Sequence, residues 1–173
     1  MGSLLSAIAL TMAGSIAYPA LAVEVARQDF QGAAGMCKGA TPAYNDALRI
    51  APLGMANESA AAVFITCNFQ GDDTQNSTRG AQRVSVSFVN NSTSSRTVAC
   101  TLVNGFQSGS TTVATYTPKS IVIAAGATAS IAWVPGDIAG APTQIKLPAL
   151  SCNVPAGTTL QFTAKQYNED VGA

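Results

Sequence analysis

Asp72 and Asp73 form the one tight carboxylate pair in the middle of the chain, inside Gly71-Asp72-Asp73-Thr74-Gln75-Asn76. Paired carboxylates can act as general acid and base in glycoside hydrolysis. Clustered oxygen ligands can also hold Ca²⁺, but this run lacks the spaced ligands of an EF-hand loop. Glu169-Asp170 is a second acidic pair, next to the C-terminus. The chain has no histidine. Ser-His-Asp and Cys-His nucleophilic sites are therefore excluded, and the commonest zinc ligand is missing. No Gly-rich loop leads from a strand into a helix, so no phosphate cradle is present. The residues thus predict no catalytic group, no metal site and no cofactor; a hydrolase using Asp72 or Asp73 is the weakest of three functional readings.

The remaining chemistry is that of cross-links and surfaces. Cys37, Cys67, Cys100 and Cys152 are an even set in a small chain, which predicts disulfides and an oxidising compartment. Their wide spacing rules out a C-x-x-C metal or redox motif. Three pairings exist; the sequential one, Cys37 with Cys67 and Cys100 with Cys152, is favoured. Each bond would close a long loop and contribute about 4 kcal/mol in the chain-entropy account. Asn57-Glu58-Ser59, Asn76-Ser77-Thr78, Asn90-Asn91-Ser92 and Asn91-Ser92-Thr93 match the glycosylation tripeptide, a match that polar chains produce by chance. Trp133, Tyr116, Tyr167 and Tyr44 are the candidates for a sugar-stacking platform, although alternation around Trp133 predicts that this ring packs inward.

Nine basic residues balance nine acidic ones. That balance gives no nucleic-acid footprint, and no basic amphipathic helix marks a membrane-surface binder. Only 10% of residues are charged, so electrostatic defence against self-association is weak. Residues 3–22 form an apolar run that ends in Ala20-Leu21-Ala22 after Pro19, read as a secretory signal peptide over 1–22 with cleavage near Val23. No Lys or Arg precedes its apolar core. The competing reading is a retained apolar N-terminal helix, since Ser15 to Ala20 followed by Val25-Ala26-Arg27 faintly resembles type IV pilins, without their entry motif. No other segment is long and apolar enough to span a bilayer.

The elements that must position these residues are strands. Gln82–Val103 places Val84, Val86 and Phe88 on one face, passes a polar tip at Asn90–Ser95, and continues as a second run through Cys100, which predicts a β-hairpin. Residues 60–69 put Val63, Ile65 and Cys67 opposite Phe64 and Thr66. Further strand candidates are 47–53, 111–116, 120–124, 128–134, 143–147, 149–154 and 158–167, and the 70–80 segment reads as a polar loop. Residues 23–35 form an N-terminal arm or edge strand, and 36–173 a single domain. Ile123–Ile131 echoes Val154–Leu160 through a shared Ala-Gly turn, read as a recurring turn device. Eight or nine short strands with regular turns predict an all-β sandwich, immunoglobulin-like or of Greek-key type.

The cysteine contexts add a resemblance. Gly35-Met36-Cys37, Asn57-Glu58-Ser59, Val63-x-x-x-Cys67-Asn68-Phe69, Val98-Ala99-Cys100-Thr101-Leu102 and Leu150-Ser151-Cys152-Asn153-Val154-Pro155 occur in an order similar to small exported proteins of Gram-negative bacteria with no established activity. The resemblance implies a two-disulfide β-sandwich and brings no catalytic residue with it. The leading functional expectation is a secreted, non-enzymatic structural or interaction protein, outside the cell, on its surface or in the periplasm. It would assemble with copies of itself into a filament or surface layer, with residues 23–35 adding a strand to a neighbour. The alternative is a monomeric module that binds a carbohydrate or a surface.

Overall fold

The computed structural model describes residues 23–70 and 80–171. The expected leader, the Asp72–Asp73 pair and Asn76 lie outside the described residues. The chain forms two antiparallel sheets, face to face. Strand β1 (Glu24–Gly32) leads through a one-turn helix, α1 (Ala33–Met36), into β2 (Cys37–Gly39). A second short helix, α2 (Pro42–Asp46), starts at Thr41, whose Oγ1 accepts from the Tyr44 amide. Then come β3 (Leu48–Ala51), β4 (Gly54–Asn57), β5 (Val63–Asn68), β6 (Ala81–Asn90), β7 (Arg96–Ser108), β8 (Thr111–Ile123), β9 (Thr128–Trp133), β10 (Pro148–Val154) and β11 (Thr158–Asp170). One sheet runs β3-β4-β11-β6-β9, with β1 also on β11; the other runs β2-β5-β10-β7-β8.

The core lies between the sheets and is built from the alternating sets visible in the sequence. Val84, Val86 and Phe88 of β6 face Val63, Ile65 and Cys67 of β5 and Leu150, Cys152 and Val154 of β10, all buried. Trp133 points inward, as alternation requires, and its Nε1 donates to Thr117 O across the sandwich at 2.9 Å. Residues 24–32 are no loose arm: β1 pairs along its whole length with β11.

Several element expectations are corrected. Strands β6 and β7 do not form a hairpin; they lie in different sheets, and the polar tip between them carries the chain from one layer to the other. Both runs have a buried face, and a crossover lets each meet the core from opposite sides. Residues 111–123 are one strand rather than two. Pro118 does not break it, because β8 is a sheet edge, where a missing N–H is tolerated. Of 143–147, only Ile145 pairs, in a bridge to Ala81.

The disulfides are Cys37–Cys67 and Cys100–Cys152. Each joins residues directly opposite on neighbouring strands, β2 with β5 and β7 with β10, on the inner face of the five-stranded sheet. They staple strands side by side; neither ties the two layers together.

The buried asparagines explain the crossovers. Asn57 Nδ2 donates to Ala61 O and Val154 O, while its Oδ1 accepts from the Ser59 amide and hydroxyl. Asn90 repeats this arrangement: Nδ2 donates to Ser94 O, Ile123 O and Ala124 O, and Oδ1 accepts from the Ser92 amide and hydroxyl. The Asn57 carbonyl accepts from Gly157 N–H, and the Asn90 carbonyl from Gly126 N–H. Those glycines sit at φ 76° and 71°, where a side chain would strain the turn. The two Ala-Gly turns that echo in the sequence therefore occupy matching places. A unit of β4, β5, β10 and β11 stands beside a second unit of β6, β7, β8 and β9, and the second is inserted in the chain between the halves of the first. The Asn-x-Ser tripeptides at Asn57 and Asn90 are thus internal caps. Their amide nitrogens are buried and fully used, which leaves no acceptor for a glycan.

Candidate binding face

The inner faces of both sheets are consumed by the core, so chemistry must come from an outer face or an end. The outer face of the five-stranded sheet is the better candidate. Register sets Phe64, Asn153, Ala99 and Ser120 in one row across β5, β10, β7 and β8. The next row is Lys38, Thr66, Ser151, Thr101 and Pro118, and the row after it is Asn68, Ala149, Val103 and Tyr116. At strand spacing, β5 and β8 stand about 14 Å apart.

A shallow groove of about 450 Å³ crosses this face, floored by Ala99, Thr101, Ser151 and Asn153. Phe64, 43% exposed, bounds it on the β5 side, with its ring 6.1 Å from that of Tyr44. Pro118 bounds it on the β8 side, and Tyr116, 62% exposed, continues that flank. Asn153 Oδ1 is enclosed and receives no hydrogen bond. The floor carries hydroxyls and an amide but no carboxylate. Lys119, whose backbone borders the groove, turns its ammonium inward to Ala132 O at 2.9 Å and Asp137 at 2.8 Å. Asp137 accepts from Lys119 and from the Val134 amide, and these contacts hold its carboxyl below the ordinary carboxylate range.

The four aromatic candidates are scattered by the fold. Tyr44 and Tyr116 stand on opposite sides of the groove. Trp133 is buried in the core. Tyr167 lies at the end of the other sheet, with Lys165 Nζ 4.9 Å from its ring centroid. Phe64 is not among these four; alternation over 63–67 puts it opposite the buried residues, and the structure has it there, exposed on the outer face. Glu169 pairs with Arg27 at 2.7 Å, as an exposed ion pair. Among the described residues, no group of three or more Cys, Asp or Glu is placed to hold a metal ion, and no helix is long and apolar enough to cross a membrane.

No family model and no curated protein matches the chain. Among solved structures, the chain is similar to TmCBM61 in complex with β-1,4-galactotriose, at TM-score 0.38 and 8% identity, over 82% of this chain and 88% of the other. It is also similar to the family 11 carbohydrate-binding module from Clostridium thermocellum in complex with a β-1,3-1,4-mixed-linked tetrasaccharide, at TM-score 0.41 and 9% identity, over 89% of each chain.

Proposed function

We propose that the protein is a secreted, non-catalytic binding module, and that the outer face of its five-stranded sheet takes a neutral glycan. The observation that carries this reading is the groove itself. Apolar flanks, Phe64 backed by Tyr44 and Pro118 next to Tyr116, border a floor of Ser151, Thr101 and Asn153. A sugar chain has the matching chemistry, with C–H faces that pack on rings and hydroxyls that both donate and accept. The uncharged floor favours a neutral polymer over an anionic or cationic one. Two disulfides suit work in an oxidising compartment.

Affinity electrophoresis of the folded, oxidised protein through gels containing a panel of neutral plant and microbial polysaccharides tests the reading. At least one polymer should retard the wild-type chain. Phe64→Ala should weaken that binding about tenfold or more, equivalent to about 1.4 kcal/mol, with the thermal midpoint nearly unchanged because the ring is already half exposed. Asn153→Ala should weaken it as well. Because Trp133 is buried away from the groove, its fluorescence should not respond to sugar. Free migration of the wild type through every gel would remove the reading.

A further inference from the structure

The outer edge of β1 is unpaired among the described residues, since β1 pairs only with β11. Which of its backbone groups face outward follows from one hydrogen bond. Val171 N–H donates to Val23 O at 3.0 Å, continuing the register in which Glu24 lies opposite Asp170. Odd-numbered residues of β1 therefore turn their N–H and C=O toward β11, and even-numbered residues turn theirs outward. Ala26, Gln28 and Phe30 present a row of free donors and acceptors.

The side chains along this edge are self-complementary about Gln28. A second copy of β1, antiparallel and centred on that residue, sets Gln28 opposite Gln28 and Ala26 opposite Phe30, so that the outward backbone groups bond in pairs. In the same register, Arg27 lies opposite Asp29 of the second copy, twice over by symmetry; within one copy Arg27 Nε already donates to Glu169 at 2.7 Å and Asp29 accepts from Gln31 Nε2 at 3.2 Å, so the cross-copy pair draws on the guanidinium's remaining N–H groups and the carboxylate's other oxygen. These charged residues fall at non-hydrogen-bonded positions, where opposing side chains are closest. Moving the centre to Arg27 or Asp29 keeps the outward backbone groups in phase but puts like charges across from each other, and a centre between two residues mismatches the backbone groups. Phe30, 62% exposed and edge-on to Phe162 at 5.6 Å, would be covered in part by Ala26 of the second copy. With zero net charge, two copies do not repel.

We infer that two copies of this chain join through antiparallel β1 edges, centred on Gln28 and locked by reciprocal Arg27–Asp29 pairs, to make one continuous twelve-stranded sheet from two six-stranded ones. The contact is isologous and closes at two copies. It leaves β1 in its own sheet, whereas a filament built by strand donation would require β1 to leave β11. It does not depend on the glycan reading, which concerns the other sheet.

Sedimentation velocity of the oxidised protein over a concentration series tests the inference. The wild type should show a reversible monomer–dimer equilibrium. Asp29→Lys puts two cations opposite each other and should weaken the dimer at least about tenfold. Gln28→Pro removes a central N–H that faces away from β11, so the monomer should keep its fold, shown by an unchanged circular dichroism melt, and lose the dimer. A wild type that stays monomeric at its solubility limit, or a Gln28→Pro variant that folds and still dimerises, would overturn the inference.

Discussion

Asn57 and Asn90 do the work of a crossover with one side chain each. Each amide satisfies carbonyls on two chain segments and closes a tight turn onto the following serine. Removing the amide leaves buried carbonyls and an N–H without partners, and each such orphan costs about 1–3 kcal/mol. Asn57→Ala and Asn90→Ala should therefore each lose about 3 kcal/mol in urea unfolding. Losses below about 0.5 kcal/mol would show that water replaces the amide. In the sequence both residues sit in glycosylation tripeptides, Asn90 also in the polar tip and Asn57 also in the motif order of the exported proteins, and none of these readings makes either one a buried cap. The informative signal was their spacing from cysteine: Asn57-x-Ser59 precedes Cys67 as Asn90-x-Ser92 precedes Cys100. A tripeptide read alone carries no information about burial, and burial decides its role here.

At the scale of elements, the period of two was the dependable guide, and connectivity was not. Alternation placed the core faces of β5, β6 and β9, and with them Phe64 on the outside. It could not say whether β6 turns back to β7 within one sheet or crosses to the other, because a polar tip serves both. The groove was illegible for the same reason: Phe64, Ser151, Thr101 and Pro118 come from four strands, and only strand order brings them together. The open side between β8 and β9 is closed by Lys119, which reaches Ala132 O and Asp137. Because folding lowers the Asp137 pKa, its contribution to stability is complete above the ordinary value of 3.8 and is lost as pH falls through the lower folded value. Asp137→Asn keeps an acceptor for the Val134 amide but removes the charge. Its thermal midpoint should fall less steeply than the wild type's on acidification below about pH 4. Parallel curves would assign the acid sensitivity to other carboxylates.

At the scale of the molecule, the all-β sandwich was readable from strand spacing and the presence of disulfides from the cysteine count, which left three pairings open until the register put Cys37 opposite Cys67 and Cys100 opposite Cys152. The doubling of a four-strand unit was not, because the outer copy is divided by the inner one. That division has a kinetic consequence. Strands β6 to β9 are contiguous and can assemble from nearby residues, whereas β4 and β5 must wait for β10 and β11 to return from far along the chain. In stopped-flow chevrons, Val86→Ala and Ile131→Val should chiefly slow folding, and Val63→Ala and Leu160→Ala should chiefly speed unfolding. The reverse pattern would place the nucleus in the outer unit. The final strand, β11, pairs with β1, β4 and β6. A polypeptide still emerging from the ribosome therefore lacks the spine of its larger sheet until β11 is made, and termination before β11 would leave three strand edges with no common neighbour.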